Sequence, residues 1–293
     1  MKAYLSVDIE GIAGINHPFP TRREDASYPA SVGLMVGEAN AAIEGALAGG
    51  AEEVLVNDSH GGMYNLRPVD IHPAAHLLQG QKPWSMVAGA GPDAGFDVAL
   101  FVGYHARAGH PTATIAHTYS GRPTLSRLNG RPVGESGLNA LVLGAWGVPV
   151  GLVAGDDALA DEIEEWLPWA ERVVVKRAFG GSAAASVHPS VAGDLVRSGA
   201  ERAVRRAAAG ELRPLIVEPP VVVEVEYHRP IEADYAALLP GAERFGDRGV
   251  RYETADAVTA YRAFLAGVRL AGICDSSGDR SDPLRETAYL GRP

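Results

Sequence analysis

The sequence predicts an α/β protein: a largely parallel sheet with flanking helices, followed by a smaller C-terminal α+β portion. Three observations predict it. Short apolar runs, of the kind that make strands buried on both faces, recur at Tyr4-Leu5-Ser6-Val7, Ala51–Val56, Val98–Val102, Val148–Ala154 and Val173-Val174-Val175. Stretches with helical periodicity separate several of them, which gives β-α-β units with right-handed parallel crossovers. Near Pro189 the texture changes to an Arg-rich amphipathic helix ending about Ala209. Pro219-Pro220 and the alternating Val221–Tyr227 follow, the pattern of a sheet with one wet face. The expected organisation is therefore an α/β domain over 1–188, a smaller α+β domain over 189–273, and a polar disordered tail over 274–293.

The first strand ends in Asp8-Ile9-Glu10, and Gly11 and Gly14 mark the turn after it. In an extended chain, i and i+2 share a face, so the two carboxylates project together from the strand's carboxyl end. A divalent cation between them would remove their repulsion; equally, one could cap the next turn while the other is solvated. His17 to Asp25 is a loop long enough to act as a flap. Ser31–Ala48 is a helix stopped by Gly49-Gly50. The second strand ends in Asn57-Asp58-Ser59-His60, and the third, Val98–Val102, in Gly103-Tyr104-His105. Thr114-Ile115-Ala116 reads as a short extended piece leading to His117, and Thr124–Leu128 with Asn129-Gly130 as a hairpin. Gly134-Glu135 opens a helix to about Trp146, with Glu135 in its first turn. Asp156 or Asp157 caps the helix after the fourth strand. The run Gly180–Ala183, after Lys176, is either a tight loop or a cradle of backbone N–H groups. A final helix covers Asp256–Leu270.

The formal net charge is −10, only Lys2, Lys82 and Lys176 are lysines, and no basic cluster stands out; nucleic acid and anionic membrane surfaces are not expected partners. Cys274 is the single cysteine, so no disulfide can form within the chain. The N-terminus lacks the basic-then-apolar pattern of a signal peptide, and no uninterrupted apolar segment looks long enough to cross a bilayer. A cytoplasmic location is the expectation.

Asp8, Glu10, His60, His105 and Glu135 stand apart from this background. Each of the first four sits at a strand end, where open α/β sheets bind ligands, so they can converge despite their separation in sequence. A single histidine at a strand end is ordinarily a hydrogen-bonded structural residue; the recurrence is what points to a metal centre. Mixed nitrogen and oxygen donors suit zinc, with manganese or cobalt as the alternatives. Three carboxylates balance two dications and one hydroxide, whereas one dication would be over-neutralised, so two metals with Asp8 as the bridge are expected. His17, His72, His76, His110, His188 and His228 lie in loops or at strand edges and read as structural or surface residues.

Five separated blocks give the chain a resemblance to a known family. They are Ser6–Ile12, Val54–His60, Gly103–Ala108, Arg131–Glu135 with Gly137–Ala140, and Val153–Asp157. Their order and content resemble the D-aminopeptidases of peptidase family M55, the DppA type, from the first residues to about Leu270. The resemblance implies dinuclear zinc held by Asp8, Glu10, His60, His105 and Glu135, with His117 as the catalytic histidine. It also implies an aminopeptidase acting on short peptides, with D-alanyl substrates preferred, and a ring-shaped, decamer-like homo-oligomer. The 17–25 loop and the tail fall outside the resemblance. A two-metal phosphoesterase and a ligand-binding module with a structural metal are the other readings of the residues alone.

Overall fold

The computed structural model describes residues 1–275; the remaining tail expected to be disordered lies outside the described residues. The elements run β1 (Lys2–Val7), α1 (Tyr28–Ala48), β2 (Glu53–Asp58), β3 (Ala75–Leu78), β4 (Val98–Val102), β5 (Pro123–Leu128) and β6 (Arg131–Pro132). There follow α2 (Glu135–Ala145), β7 (Val150–Asp156), α3 (Asp157–Trp166), β8 (Glu171–Ala178), β9 (Ala184–Ser186) and α4 (Pro189–Ala208). The chain then continues with β10 (Val221–Tyr227), α5 (Pro230–Ala236), β11 (Ala242–Phe245), β12 (Gly249–Thr254) and α6 (Ala257–Ala271).

The strands form two sheets, β3-β2-β1-β4-β7-β8-β9 and β11-β12-β10-β5-β6. The first is parallel apart from its β8–β9 edge; the second is antiparallel. Alternation along β1 explains how the first sheet is covered. Ala3, Leu5 and Val7 enter one core with α1 and α4, while Tyr4 points into a second core shared with α2 and the other sheet. Alternation along β10 is equally regular: Val221, Val223, Val225 and Tyr227 are buried and the residues between them are partly exposed.

Several expectations shift. The change expected at Pro189 does not coincide with the change of sheet. Helix α4 lies against α1, β7 and β8 of the first sheet, and β5–β6 joins β10 in the second. The reason is that the arginines of α4 describe only its outer side, while Ala192, Val196, Ala200, Ala203 and Val204 form a buried stripe. Thr114-Ile115-Ala116 is a turn, with Ile115 at φ 55°. It bends because the Thr114 N–H donates to the Asp156 carboxylate (3.1 Å) and its hydroxyl donates to the carbonyls of Gly180 and Ala183. Those contacts make Gly180–Ala183 a tight loop. One window, Ala257–Cys274, is apolar enough to span a membrane by composition. Here it is a core helix, with Tyr261, Phe264, Leu265 and Val268 buried. Strands β3, β9, β11 and β12 and helix α5 are additions to the sequence-based expectation; β3, Ala75-His76-Leu77-Leu78, is too short and mixed to show a period.

Two glycines let β1 and β4 finish side by side. A Cβ on Gly11 would run into the Tyr104 carbonyl, and one on Gly103, which is at φ 71°, would strike the Asp8 carbonyl. With no side chain there, Gly11 N–H donates to Gly103 O (2.8 Å), and the chain after β1 stays in contact with the chain after β4.

Candidate metal centre

Asp8 and Glu10 follow β1, His60 follows β2, His105 follows β4, and Glu135 begins α2. The structure brings all five together, with His117 beside them. His60 Nδ1 lies 3.3 Å from Asp8 Oδ1 and 3.1 Å from Glu10 Oε2. His105 Nε2 lies 3.5 Å from Asp8 Oδ2 and 3.3 Å from Glu135 Oε1. These separations match the edge of a tetrahedron whose bonds are the length of zinc–nitrogen or zinc–oxygen bonds, about 3.3 Å. Asp8 thus turns one oxygen to each histidine. The ligand atoms fall into the triads Asp8-Glu10-His60 and Asp8-His105-Glu135, with Glu10, His105 and His117 as a third group.

The imidazoles are aimed by their backbone contacts. A carbonyl can only accept, so the ring nitrogen facing it bears the proton and the other nitrogen is left as a donor to a cation. His60 Nε2 donates to Thr21 O (2.9 Å), His105 Nδ1 to Ala106 O (3.1 Å) and His117 Nδ1 to Ile115 O (2.9 Å). This is the support that metal-bound histidines ordinarily receive. His105 Nε2 is buried and makes no hydrogen bond among the described residues. A cation would satisfy that orphaned atom, so these residues fit a metal.

The electrostatics agree. Burial pushes the Asp8 carboxyl up, but the two imidazoles beside it, His105 and His60, together outweigh burial and hold Asp8 well below the usual carboxylate range. Glu135 is lowered too: burial pushes it up, but His105, His117 and the Tyr119 N–H together outweigh that. Burial alone would depress the two histidines. The charge of Glu10 raises His60 well above its ordinary value, and that of Glu135 does the same for His105. The cluster is a buried well for positive charge.

The decisive comparison is with the family model described as Peptidase_M55, D-aminopeptidase, which matches residues 1–266. The chain belongs to the M55 D-aminopeptidase family. It is a hydrolase acting on peptides. A D-aminopeptidase from Bacillus subtilis (strain 168) is 39% identical over 273 residues, spanning 92% of this chain and 98% of that protein. The solved structure of the Zn-dependent D-aminopeptidase DppA from Bacillus subtilis, described as a self-compartmentalizing protease, aligns with a TM-score of 0.88. That alignment has 38% identity and covers 93% of this chain and 98% of the other.

Other residues support this M55 centre that residue type and spacing did not single out. The 17–25 loop is tied to the site through Thr21, whose carbonyl receives His60. Tyr119 N–H donates to Glu135 Oε1 (2.6 Å), and the His105 and His117 rings stack with centroids 3.9 Å apart. Glu162 is a buried carboxylate that accepts from Gly134 N–H (2.8 Å) and Arg107 N–H (2.9 Å), pinning the segments that present Glu135 and His105. Lys176 is fully buried, and its ammonium donates to the carbonyls of Glu10, Ile12 and Ile15, which fixes the turn after β1. No local signal marks Glu162 or Lys176; only the folded chain brings them to the site.

Lys176→Met should leave the buried carbonyls of Glu10 and Ile15 without a donor, while Ile12 O keeps the Ile15 N–H. At about 1–3 kcal/mol for each unsatisfied group, with partial rescue by water, a loss of about 2–4 kcal/mol is expected. Thermal melting and metal titration together check it: an unchanged melting temperature with unchanged metal affinity would rule out the positioning role.

Proposed function

We propose that this chain is a dizinc D-aminopeptidase that hydrolyses short peptides bearing an N-terminal D-amino acid, D-alanine foremost. The observation that supports it is Asp8, whose two oxygens face two different histidines. Asp8, Glu10 and His60 would hold one ion, and Asp8, His105 and Glu135 the other, with Asp8 as the bridge. Zinc bound there supplies Lewis-acid polarisation of the scissile carbonyl. The kinship to a protein described as Zn-dependent supports the choice of metal.

His117 is the proton carrier in this reading. Its Nδ1–H is committed to Ile115 O, so Nε2, which lies 3.8 Å from Glu135 Oε1, is the end turned towards the centre and positioned to exchange a proton. It takes a proton from the attacking water and delivers it to the departing amine. The third ligand group, which includes His117, supports a second reading in which this histidine is a sixth ligand; attack by His117 itself as nucleophile is a third. The relative described as self-compartmentalizing supports a ring-shaped, decamer-like homo-oligomer. A cytoplasmic location belongs to the same reading, supported by the absence of any possible intrachain disulfide.

Protein reloaded with zinc should contain two ions per chain by elemental analysis and cleave D-alanyl peptides in a panel of D- and L-aminoacyl substrates. Chelator should abolish cleavage and zinc restore it, and light scattering should give a mass well above the 30.7 kDa chain. One ion per active chain would remove the dinuclear reading, and a preference for L-aminoacyl peptides would remove the stereochemical one.

A further inference from the structure

The metal centre forms one wall of a cleft of about 580 Å³, a size suited to a small ligand. Other lining residues come from distant parts of the chain. Lys82 lies between β3 and β4, and Leu265, Val268 and Arg269 occupy one stripe of α6 at helical spacing. The cleft is therefore polarised. Asp8, Glu10 and Glu135 supply its negative charge, Lys82 and Arg269 its positive charge, and Met63, Met86, Leu265 and Val268 add apolar surface.

The two cations have donors to spare. Lys82 is buried, and its ammonium has one recorded bond, to Asp58 O (2.9 Å), out of three donors. Asp58 is the nearby acid, but its carboxylate is occupied by Asn65 and Leu66 N–H and by the Asn65 side chain. Arg269 gives one N–H to Lys82 O (3.2 Å) and keeps the rest of its guanidinium fork. Neither makes an ion pair among the described residues, although the chain as a whole is acidic. A buried ammonium without a carboxylate partner, beside an arginine bonded to the same residue, leaves an unfilled place for an anion in a site built to hold a peptide.

We propose that Lys82 and Arg269 form a subsite for the free C-terminal carboxylate of the substrate, making the enzyme selective for very short, unblocked peptides. The inference rests on the aminopeptidase reading and adds substrate length and end chemistry to it. An extended peptide advances about 3.4 Å per residue, so a cleft of about 580 Å³ suits a chain of two or three residues, with one carbonyl at the metal centre and its carboxylate on a cation. Lys82 is anchored to the carbonyl of Asp58, two residues before His60, which keeps this anion subsite close to the metal wall.

The test compares D-alanyl-D-alanine with its C-terminal amide. Charge-assisted hydrogen bonds to the carboxylate predict a KM at least about tenfold lower for the acid, with kcat changing less. Arg269→Gln, at an exposed position where folding is not at risk, should bring the ratio of the two KM values towards one, and Arg269→Lys should preserve part of it. Calorimetry with the same dipeptide N-methylated at the scissile bond, acid against amide, reads the preference without turnover. Equal KM values for acid and amide in the wild type would overturn this inference and leave the aminopeptidase reading intact. So would a ratio unmoved by both Arg269→Gln and Lys82→Met. Cleavage of an aryl phosphate with neither peptide touched would overturn both.

Discussion

Asp8→Ala should empty the metal centre and lower turnover by more than about 10³-fold, because the shared ligand belongs to both triads; losing a mere support of a ligand already costs about 10–100-fold. Two effects act together. The two oxygens that face His60 and His105 disappear, and the histidines lose the nearest group that stabilises their charge or holds them beside a cation. Elemental analysis of zinc-reloaded protein checks the first effect and kinetics the second, with far-UV circular dichroism to confirm that the fold survives. Asp8→Asn keeps the shape and one oxygen, so it should retain part of the metal and separate loss of bridging from loss of volume. Two tightly held ions in Asp8→Ala would sink the assignment of the bridge.

His117→Ala is expected to give the opposite pairing: full metal content with kcat reduced by roughly 10²-fold or more, the scale of an acid–base residue. The ring stacks on His105 and its Nδ1 is tied to a carbonyl, so its removal opens space beside the centre but removes neither oxygen of Asp8. Metal content measured beside kcat decides the role. A proportional loss of metal and activity makes His117 a sixth ligand. A covalent adduct trapped on the wild-type ring makes it a nucleophile. Unchanged activity excludes it from the chemistry.

The first sheet and four of the five clustered residues, Asp8, Glu10, His60 and His105, were legible for the same reason, whereas Glu135 opens helix α2. Parallel strands buried on both faces are apolar runs, and each run stops abruptly at the polar groups that the sheet delivers to its carboxyl edge, as at Val7-Asp8 and Val102-Gly103-Tyr104-His105. Residues that reach the site by packing were not legible. Arg269 arrives on a helix whose other face fills the second core, and Lys82 stands in a loop whose neighbours give no period. Helix α4 misled because arginine content reports what faces water, whereas its alanine and valine stripe decides what it packs on. His117 was placed near the metals by family resemblance, but the turn that aims it depends on Asp156 and Gly180–Ala183, both remote in sequence.

The strand order β3-β2-β1-β4-β7-β8-β9 also fixes how this sheet can be assembled as the chain emerges during synthesis. β1 comes first and stands inside the sheet; β2 and β3 extend one side of it, then β4, β7, β8 and β9 extend the other. Every new strand meets a finished edge, and none has to be threaded between two already paired. Asp8 is in place from the outset, and the residues of its first triad, Asp8, Glu10 and His60, have all been made before β4 begins. His105 and Glu135 complete the second triad only after β4 has docked. The residues of the first triad are thus all made before any residue that belongs only to the second, so the chain supplies the centre outward from its shared carboxylate in the direction of translation.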